Sequence, residues 1–275
     1  MAVAMACALA LAVLFAGQAG RHGRRTVIEV PLRSVATPSM VQASLAGGVA
    51  WIWPDSNGPL AKTTDTAPPY REAALLVESL VLRADGVERG GRSQSLALPA
   101  GVRIIPVVHV EVAADAPDQL TATQLDAILA AVRRHAPVAT STQGAGLLQL
   151  DFEAPLRQRE AYRALVARIR AALPAHVRLS VTALAHWCTQ GDWLDRLPVD
   201  EVVPMLYRLG PHAADWQYRF ATGAPTLAHR CRGPALGFAT NDPPPPALLA
   251  RAARPYWFDE SVWSNPSRPP HSPTP

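Results

Sequence analysis

Two carboxylates lie two residues apart in the segment GLLQLDFEAP (residues 146–155), where Asp151 and Glu153 end an apolar run. Side chains alternate along a strand, so both would share one face with Gln149, while Leu148, Leu150 and Phe152 would face the other way. Two neighbouring carboxylates repel when both are charged, and the pKa of one of them rises. Because a raised pKa suits a general acid at neutral pH, the pair predicts a proton donor. The alternative is that the two residues only end a strand and cap the next helix.

The elements that would position this pair alternate between strands and helices. RIIPVVHVEV (residues 103–112) is rich in β-branched residues and predicts a buried strand, whereas LRQREAYRALVARIRAALP (residues 156–174) has the spacing of an amphipathic helix. The segment 73–83 fits either a strand or a helix, and TLAHR (residues 226–230) is predicted to be a strand. About eight strands alternating with helices favour a (β/α)8 TIM-type barrel in a single domain. An open doubly wound sheet is the alternative, but no GxGxxG motif supports a dinucleotide site.

In such a barrel the active site lies at the carboxyl ends of the strands. Polar, acidic and aromatic residues end or follow the apolar strands here, and we expect them to bind substrate: Trp51, Trp53, His109, Glu111, His186, Trp187, Arg208, Asp242, Trp257 and Asp259. The flat tryptophan faces suit stacking on sugar rings. The alternative is that a tryptophan fills the core, which is favoured for Trp193 and Trp216 because both lie on predicted helices.

Metal binding is a second chemistry open to the same strand ends. His109 and Glu111 are two residues apart, and with Asp151 and His186 they would form a ligand set that zinc accepts. Neither an HxH nor an HExxH motif is present. We therefore predict no metal and no cofactor, and we keep a metal-dependent hydrolase as an alternative.

The composition limits the class of protein. The chain has 275 residues, of which 49% are hydrophobic and 17% charged, so it can bury a sizeable core and is not disordered throughout. Its net charge is +4, Lys62 is the only lysine, and the arginines are scattered along the chain. This pattern does not indicate a nucleic-acid-binding surface.

The two ends of the chain differ from the middle. Residues 1–19 contain the apolar stretch AVAMACALALAVLFAG and are expected to be a signal peptide or an N-terminal anchor, although no Lys or Arg precedes the stretch. We expect a linker over residues 20–40, the barrel over residues 41–263, and a disordered Pro-rich tail over residues 264–275. No membrane span is expected beyond the possible anchor. Once Cys7 is set aside, Cys188 and Cys231 either form a disulfide in an oxidising compartment or are two buried free thiols.

Four blocks of the sequence resemble a known bacterial family: LQLDFEAPLRQREAYRALVARIRAALP, LSVTALAHWC, GDWLDRLPVDEVVPMLYRLG and YWFDESVW. In order and wording they are similar to the domain of unknown function 3142 family over residues 51–263. This resemblance implies an exported protein with a glycoside-hydrolase-like (β/α)8 barrel.

A more distant likeness is to chitinase-like barrels, whose fourth strand carries DxxDxDxE and whose sixth carries MxYD. By that likeness Glu153 is the proton donor, Asp151 its tuning partner and Tyr207 a hydrogen-bond donor to the substrate. GLLQLDFE keeps only the last two acidic positions of the first motif, and Arg208 stands where the second motif has an Asp.

Together these features predict a monomeric barrel, exported to the periplasm or the medium, that hydrolyses glycosidic bonds of a polysaccharide. A second carboxylate would act as nucleophile or base, and Glu111, Asp242 and Asp259 are its candidates. The alternatives are a barrel that has lost activity and only binds glycans, and the metal-dependent hydrolase.

Overall fold

Nine strands form one sheet in the computed structural model of the chain, which describes residues 34–53, 70–91, 98, 100–138 and 146–259. Their bounds are β1 (Val49–Ile52), β2 (Glu72–Arg83), β3 (Gly86–Gly91), β4 (Arg103–Val112), β5 (Leu147–Phe152), β6 (Arg178–Leu184), β7 (Glu201–Met205), β8 (Ala235–Ala239) and β9 (Arg254–Phe258). All but β3 are parallel neighbours, and β1 pairs with both β2 and β9, which closes the ring. The predicted single-domain (β/α)8 barrel is therefore confirmed.

Helices connect the strands on the outside of this ring. They are α1 (Pro38–Gly47), α2 (Ala122–His135), α3 (Arg159–Ala172), α4 (Ala213–Thr222) and α5 (Pro246–Arg251). Helix α2 begins with a capping box, in which the Thr121 hydroxyl accepts from the Gln124 N–H and the Gln124 side chain accepts from the Thr121 N–H. Short 3-10 turns lie between the later strands, at Leu156–Gln158, Ala185–Thr189, Trp193–Arg196, Gly210–His212 and His229–Arg232.

Helix α1 is not predicted by the sequence, and it begins inside the segment expected to be a linker. Its apolar residues Met40, Val41 and Leu45 do not form a continuous stripe along one face. The helix starts where the Thr37 hydroxyl accepts a hydrogen bond from the Met40 N–H. Its far end rests on β9, where the Trp257 indole donates to the Ser44 hydroxyl. Packing against β9, more than its own sequence pattern, therefore stabilises this helix.

The predicted strand at TLAHR is wrong. The chain instead turns and forms the 3-10 segment His229–Arg232. The backbone N–H groups of His229 and Arg230 donate to the Asp195 carboxylate at 2.9 and 2.8 Å. The Asp195 side chain thus binds the backbone N–H groups that a neighbouring strand would otherwise have bound.

Strand β2 changes the face it presents to the barrel. Its register with β4 shifts between Leu76 and Glu78, so Leu76 faces the interior while Glu78 faces outward. There the buried Glu78 carboxylate pairs with Arg134 and His135 of α2. Beyond the bulge β2 also pairs antiparallel with β3, a hairpin outside the ring of eight.

Two apolar layers lie on either side of the barrel wall. The inner layer contains Trp51, Ile105, Val203, Tyr256 and Phe258. The outer layer lies between the wall and the helices and includes Leu148, Leu150 and Phe152 of β5. The predicted alternation along β5 is therefore confirmed.

Cys188 and Cys231 form a disulfide with Cα atoms 5.8 Å apart, which settles the alternative left open by the sequence. None of the helices in the described part of the chain is long and apolar enough to span a membrane. The segments 1–19 and 264–275, predicted to be a signal or anchor and a tail, lie outside the described residues, as do most of the linker and residues 260–263.

Candidate active site

The Asp151 carboxylate lies inside the barrel mouth and is held from two sides. Thr182 of β6 donates its hydroxyl to Oδ1 at 2.6 Å, and His109 Nδ1 of β4 lies 3.0 Å from Oδ2. His109 and Asp151 are paired in the parallel register of β4 and β5, so the contact follows from the strand alignment. Burial disfavours both charges. The ion pair and the Thr182 hydrogen bond nevertheless lower the pKa of Asp151, and the same pair raises the pKa of His109.

Glu153 stands one step further out, at the rim. The residue is exposed to solvent on one side, but its carboxyl is closely surrounded by protein. Burial, followed by the charge of Asp151, raises the pKa of Glu153 from its ordinary value to about 7. The charge of Glu111 acts in the same direction, whereas His109 and Arg208 oppose it. Glu153 therefore exchanges a proton near neutral pH beside an ionised carboxylate, which is the state that a general acid needs.

An aromatic arc borders the same mouth. Trp53 lies edge-on to His109 with ring centroids 4.8 Å apart and to Phe258 at 6.1 Å. Tyr207 stacks on Phe258 with ring centroids 5.9 Å apart, and its hydroxyl donates to the Met205 sulfur. The arc joins the ends of β7, β9 and β1 to His109 on β4. Such a wall offers flat apolar faces opposite the carboxylates.

Arg208 lies at the rim in a backbone conformation that is uncommon for an arginine. Its φ is 52°, and it is the one non-glycine residue with positive φ in the described ranges. The Asp242 carboxylate accepts its backbone N–H at 3.2 Å and so fixes the conformation. Strained residues of this kind cluster at functional sites.

Four predicted substrate-binding residues lie elsewhere. Trp51 is buried within the barrel, where its indole donates to Gln149 at 2.6 Å. Trp257 lies in the outer layer, because Tyr256 and Phe258 on either side of it face inward. Trp187 also lies in the outer layer, against Tyr162 and Trp193. The structure therefore leaves these three rings buried, and they fill the core.

The fourth residue, His186, is exposed on the 3-10 turn after β6, and its ring contacts Trp187. Asp259 is buried directly after β9. The sequence reasoning missed Thr182 and Phe258. Alternation along VRLSVTAL and YWF could have placed both on the inner face, had the register been known.

The metal-ion alternative gains no support from the geometry. No group of three or more His, Cys, Asp or Glu side chains within the described ranges is arranged to hold an ion. His109 and Asp151 are instead joined directly to each other.

A cavity of about 620 Å³ opens at the opposite end of the barrel, among the first residues of the strands. Its charged groups pair with one another: Glu72 binds Arg103 and Arg254, and Arg254 also binds Glu201. This end lacks the features of the mouth, and in barrels of this type it serves stability.

Comparisons with known proteins identify no family for this chain. No family model matches the chain, and no curated protein matches it. The resemblance to the domain of unknown function 3142 family thus rests on the sequence blocks alone. Among solved structures, the crystal structure of the Bacillus cereus spore cortex-lytic enzyme SleL is similar, with 17% identity and a TM-score of 0.40. The match covers 76% of this chain and 57% of that chain, so this chain spans less than two thirds of its length.

Proposed function

We propose that this barrel is a glycoside hydrolase that acts on a polysaccharide outside the cytoplasm. One observation carries the proposal: Glu153 stands at the mouth with its pKa raised to about 7, next to an Asp151 carboxylate that stays ionised. In this proposal Glu153 protonates the leaving glycosidic oxygen, and Asp151 sets the pKa of Glu153. The aromatic arc binds a sugar ring, and the Tyr207 hydroxyl turns from the weak Met205 sulfur acceptor to donate a hydrogen bond to that ring.

The sequence blocks that resemble the domain of unknown function 3142 family support the same proposal, because that resemblance implies an exported glycoside-hydrolase-like barrel. The Cys188–Cys231 disulfide supports the extracytoplasmic setting, since such bonds persist in oxidising compartments.

The test is the replacement Glu153→Gln, assayed by release of reducing ends from a panel of peptidoglycan, chitin, xylan and β-glucans. We expect the variant to lose turnover by about 10²–10⁴-fold, the range that a positioned acid contributes. Binding of the same polysaccharide should remain nearly intact, because the amide keeps the shape of the carboxyl. Glu160→Gln, on the outer face of α3, is the matched control and should retain activity.

The outcome also separates the enzyme from a barrel that only binds glycans. Binding without turnover by the wild-type protein across the panel would favour the binding-only alternative. Equal loss of binding and turnover in Glu153→Gln would show that Glu153 supports the fold and is not the acid.

A further inference from the structure

The register of two neighbouring strands brings a second carboxylate beside Glu153. Strands β4 and β5 are parallel, with His109 paired to Asp151 and Val110 to Phe152. Glu153 follows directly after β5, at a turn in which the Ala154 N–H donates to the Phe152 carbonyl, so the register brings Glu111 alongside the end of β5 that carries Glu153. Because His109 faces the barrel interior, Glu111, two residues later, shares that face.

The electrostatics of the mouth agree with this placement. The charge of Glu111 raises the pKa of Glu153, and it also raises the pKa of His109. Glu111 is half-buried, so its side chain is not enclosed in the core.

The other carboxylates near the mouth are less suited to reach a sugar carbon. Asp151 is buried and both of its oxygens are engaged, with Thr182 and His109. Asp242 accepts the backbone N–H of Arg208 and follows β8, three strands away from β5. Asp259 is buried behind the end of β9.

The spacing of adjacent strands favours one of the two known reaction types for this pair. Neighbouring strands lie about 4.7–4.9 Å apart, close to the about 5–5.5 Å between the two carboxyl groups of retaining glycosidases and well below the about 6.5–9.5 Å of inverting ones. Resting on the proposed function, we propose that Glu111 is the catalytic nucleophile and that the reaction retains the configuration of the anomeric carbon.

The reaction then runs in two balanced steps. Glu153 gives its proton to the glycosidic oxygen, the bond from this oxygen to the anomeric carbon breaks with its electron pair moving to the oxygen, and a Glu111 oxygen bonds to that carbon. In the second step the Glu153 carboxylate takes a proton from water, and the water oxygen attacks the same carbon. The ester bond to Glu111 breaks, which returns Glu111 as a carboxylate and Glu153 as an acid.

A measurement without substrate tests the adjacency first. The pKa of Glu153 is followed by ¹³C NMR of the side-chain carboxyl in the wild-type protein, Glu111→Gln and Glu160→Gln. We expect Glu111→Gln to lower the pKa of Glu153, because a neighbouring negative charge is gone, while Glu160→Gln leaves it unchanged. Glu111→Asp keeps the charge and should keep the pKa raised. An unchanged pKa in Glu111→Gln would overturn the proposal, whatever the activity of the protein.

The second measurement uses whichever polysaccharide of the panel the wild-type protein cleaves. ¹H NMR of the first-formed product should show the same anomeric configuration as the substrate. Glu111→Gln and Glu111→Asp should both lose turnover. Azide should restore bond cleavage in Glu111→Gly by forming the glycosyl azide. Inversion, or full turnover in Glu111→Gln, would overturn the nucleophile and leave the proposed function standing. No cleavage of any glycan by the wild-type protein would overturn both.

Discussion

Asp151 is the residue on which the charge of the site depends. Its ordinary tendency on burial is to take up a proton, but His109 and Thr182 hold it ionised. The fixed negative charge then acts on Glu153, whose burial already favours the protonated form. One buried pair thus keeps two carboxyls, two residues apart, in different protonation states near neutral pH.

Replacement of Asp151 by Asn should lower the pKa of Glu153 below its value of about 7. The opposing charge of His109 weakens as well, because His109 loses the partner that raises its pKa. The effect of Asp151 is the larger of the two, so the net change remains downward. ¹³C NMR titration of Glu153 measures it, with Asp126→Asn on α2 as the control. A rise in the pKa of Glu153 would contradict the assigned role of Asp151.

The raised pKa of Glu153 also predicts how stability changes with pH. The folded protein binds this proton more tightly than the unfolded chain, so the contribution is fully present below about pH 4.5 and is lost as the pH rises through about 7. Glu153→Gln lacks this dependence. Urea unfolding should therefore show the stability of the wild-type protein falling relative to that of Glu153→Gln between about pH 4.5 and about 7. Parallel curves for the two proteins would show that Glu153 is not perturbed.

At the scale of elements, strand β8 has a glycine, Gly237, where the barrel interior must accommodate the Trp51 ring. A Cβ on Gly237 would lie 2.6 and 2.8 Å from the Trp51 ring. The indole donates to Gln149, and Gln149 donates to Ser180. A packed, hydrogen-bonded floor therefore lies on the same face of β5 as Asp151, one step below it.

Gly237→Ala should destabilise the fold by about 1–3 kcal/mol, as overpacking of a filled core does. The ring of Trp51 is rigid and enclosed, so it has little room to move away. Gly47→Ala at the end of α1 is the control, because a Cβ there has no atom within 4 Å. Thermal or urea unfolding compares the two variants, and an equal effect in both would mean that the floor is loosely packed.

At the scale of the whole molecule, the barrel is closed by pairings between distant parts of the chain. Strand β1 pairs with both β2 and β9, and β9 lies about 200 residues later in the sequence, so this closure is a long-range contact. The Cys188–Cys231 disulfide fastens the turn after β6 to the segment before β8 across 43 residues of sequence. The Ala228 N–H, which donates to the Cys188 carbonyl at 2.7 Å, reinforces the same join.

A Cys188→Ser, Cys231→Ser double variant should have a free energy of unfolding about 2–4 kcal/mol lower than that of the wild-type protein. The reason is that the unfolded chain without the cross-link has a higher conformational entropy. Denaturant unfolding measures the loss. Reduction of the wild-type protein with dithiothreitol should have a similar effect. No difference between oxidised and reduced protein would show that the bond adds nothing to stability.

The sequence by itself determined the alternation of strands and helices, the face of β5 and the polar character of the strand ends. These features are local, since side-chain periodicity and β-branched runs depend on neighbours along the chain. Only the tertiary structure decided which strand ends meet. The barrel decided which side of β9 faces inward, so that Trp257 lies outside and Phe258 inside. Hydrogen bonds to Asp195 replaced the strand expected at TLAHR. Packing against β9 stabilised α1. His109 and Asp151 are 42 residues apart in the sequence, and they meet because of the register between β4 and β5. That register is set by the closed sheet as a whole, so no short segment of the sequence determines it.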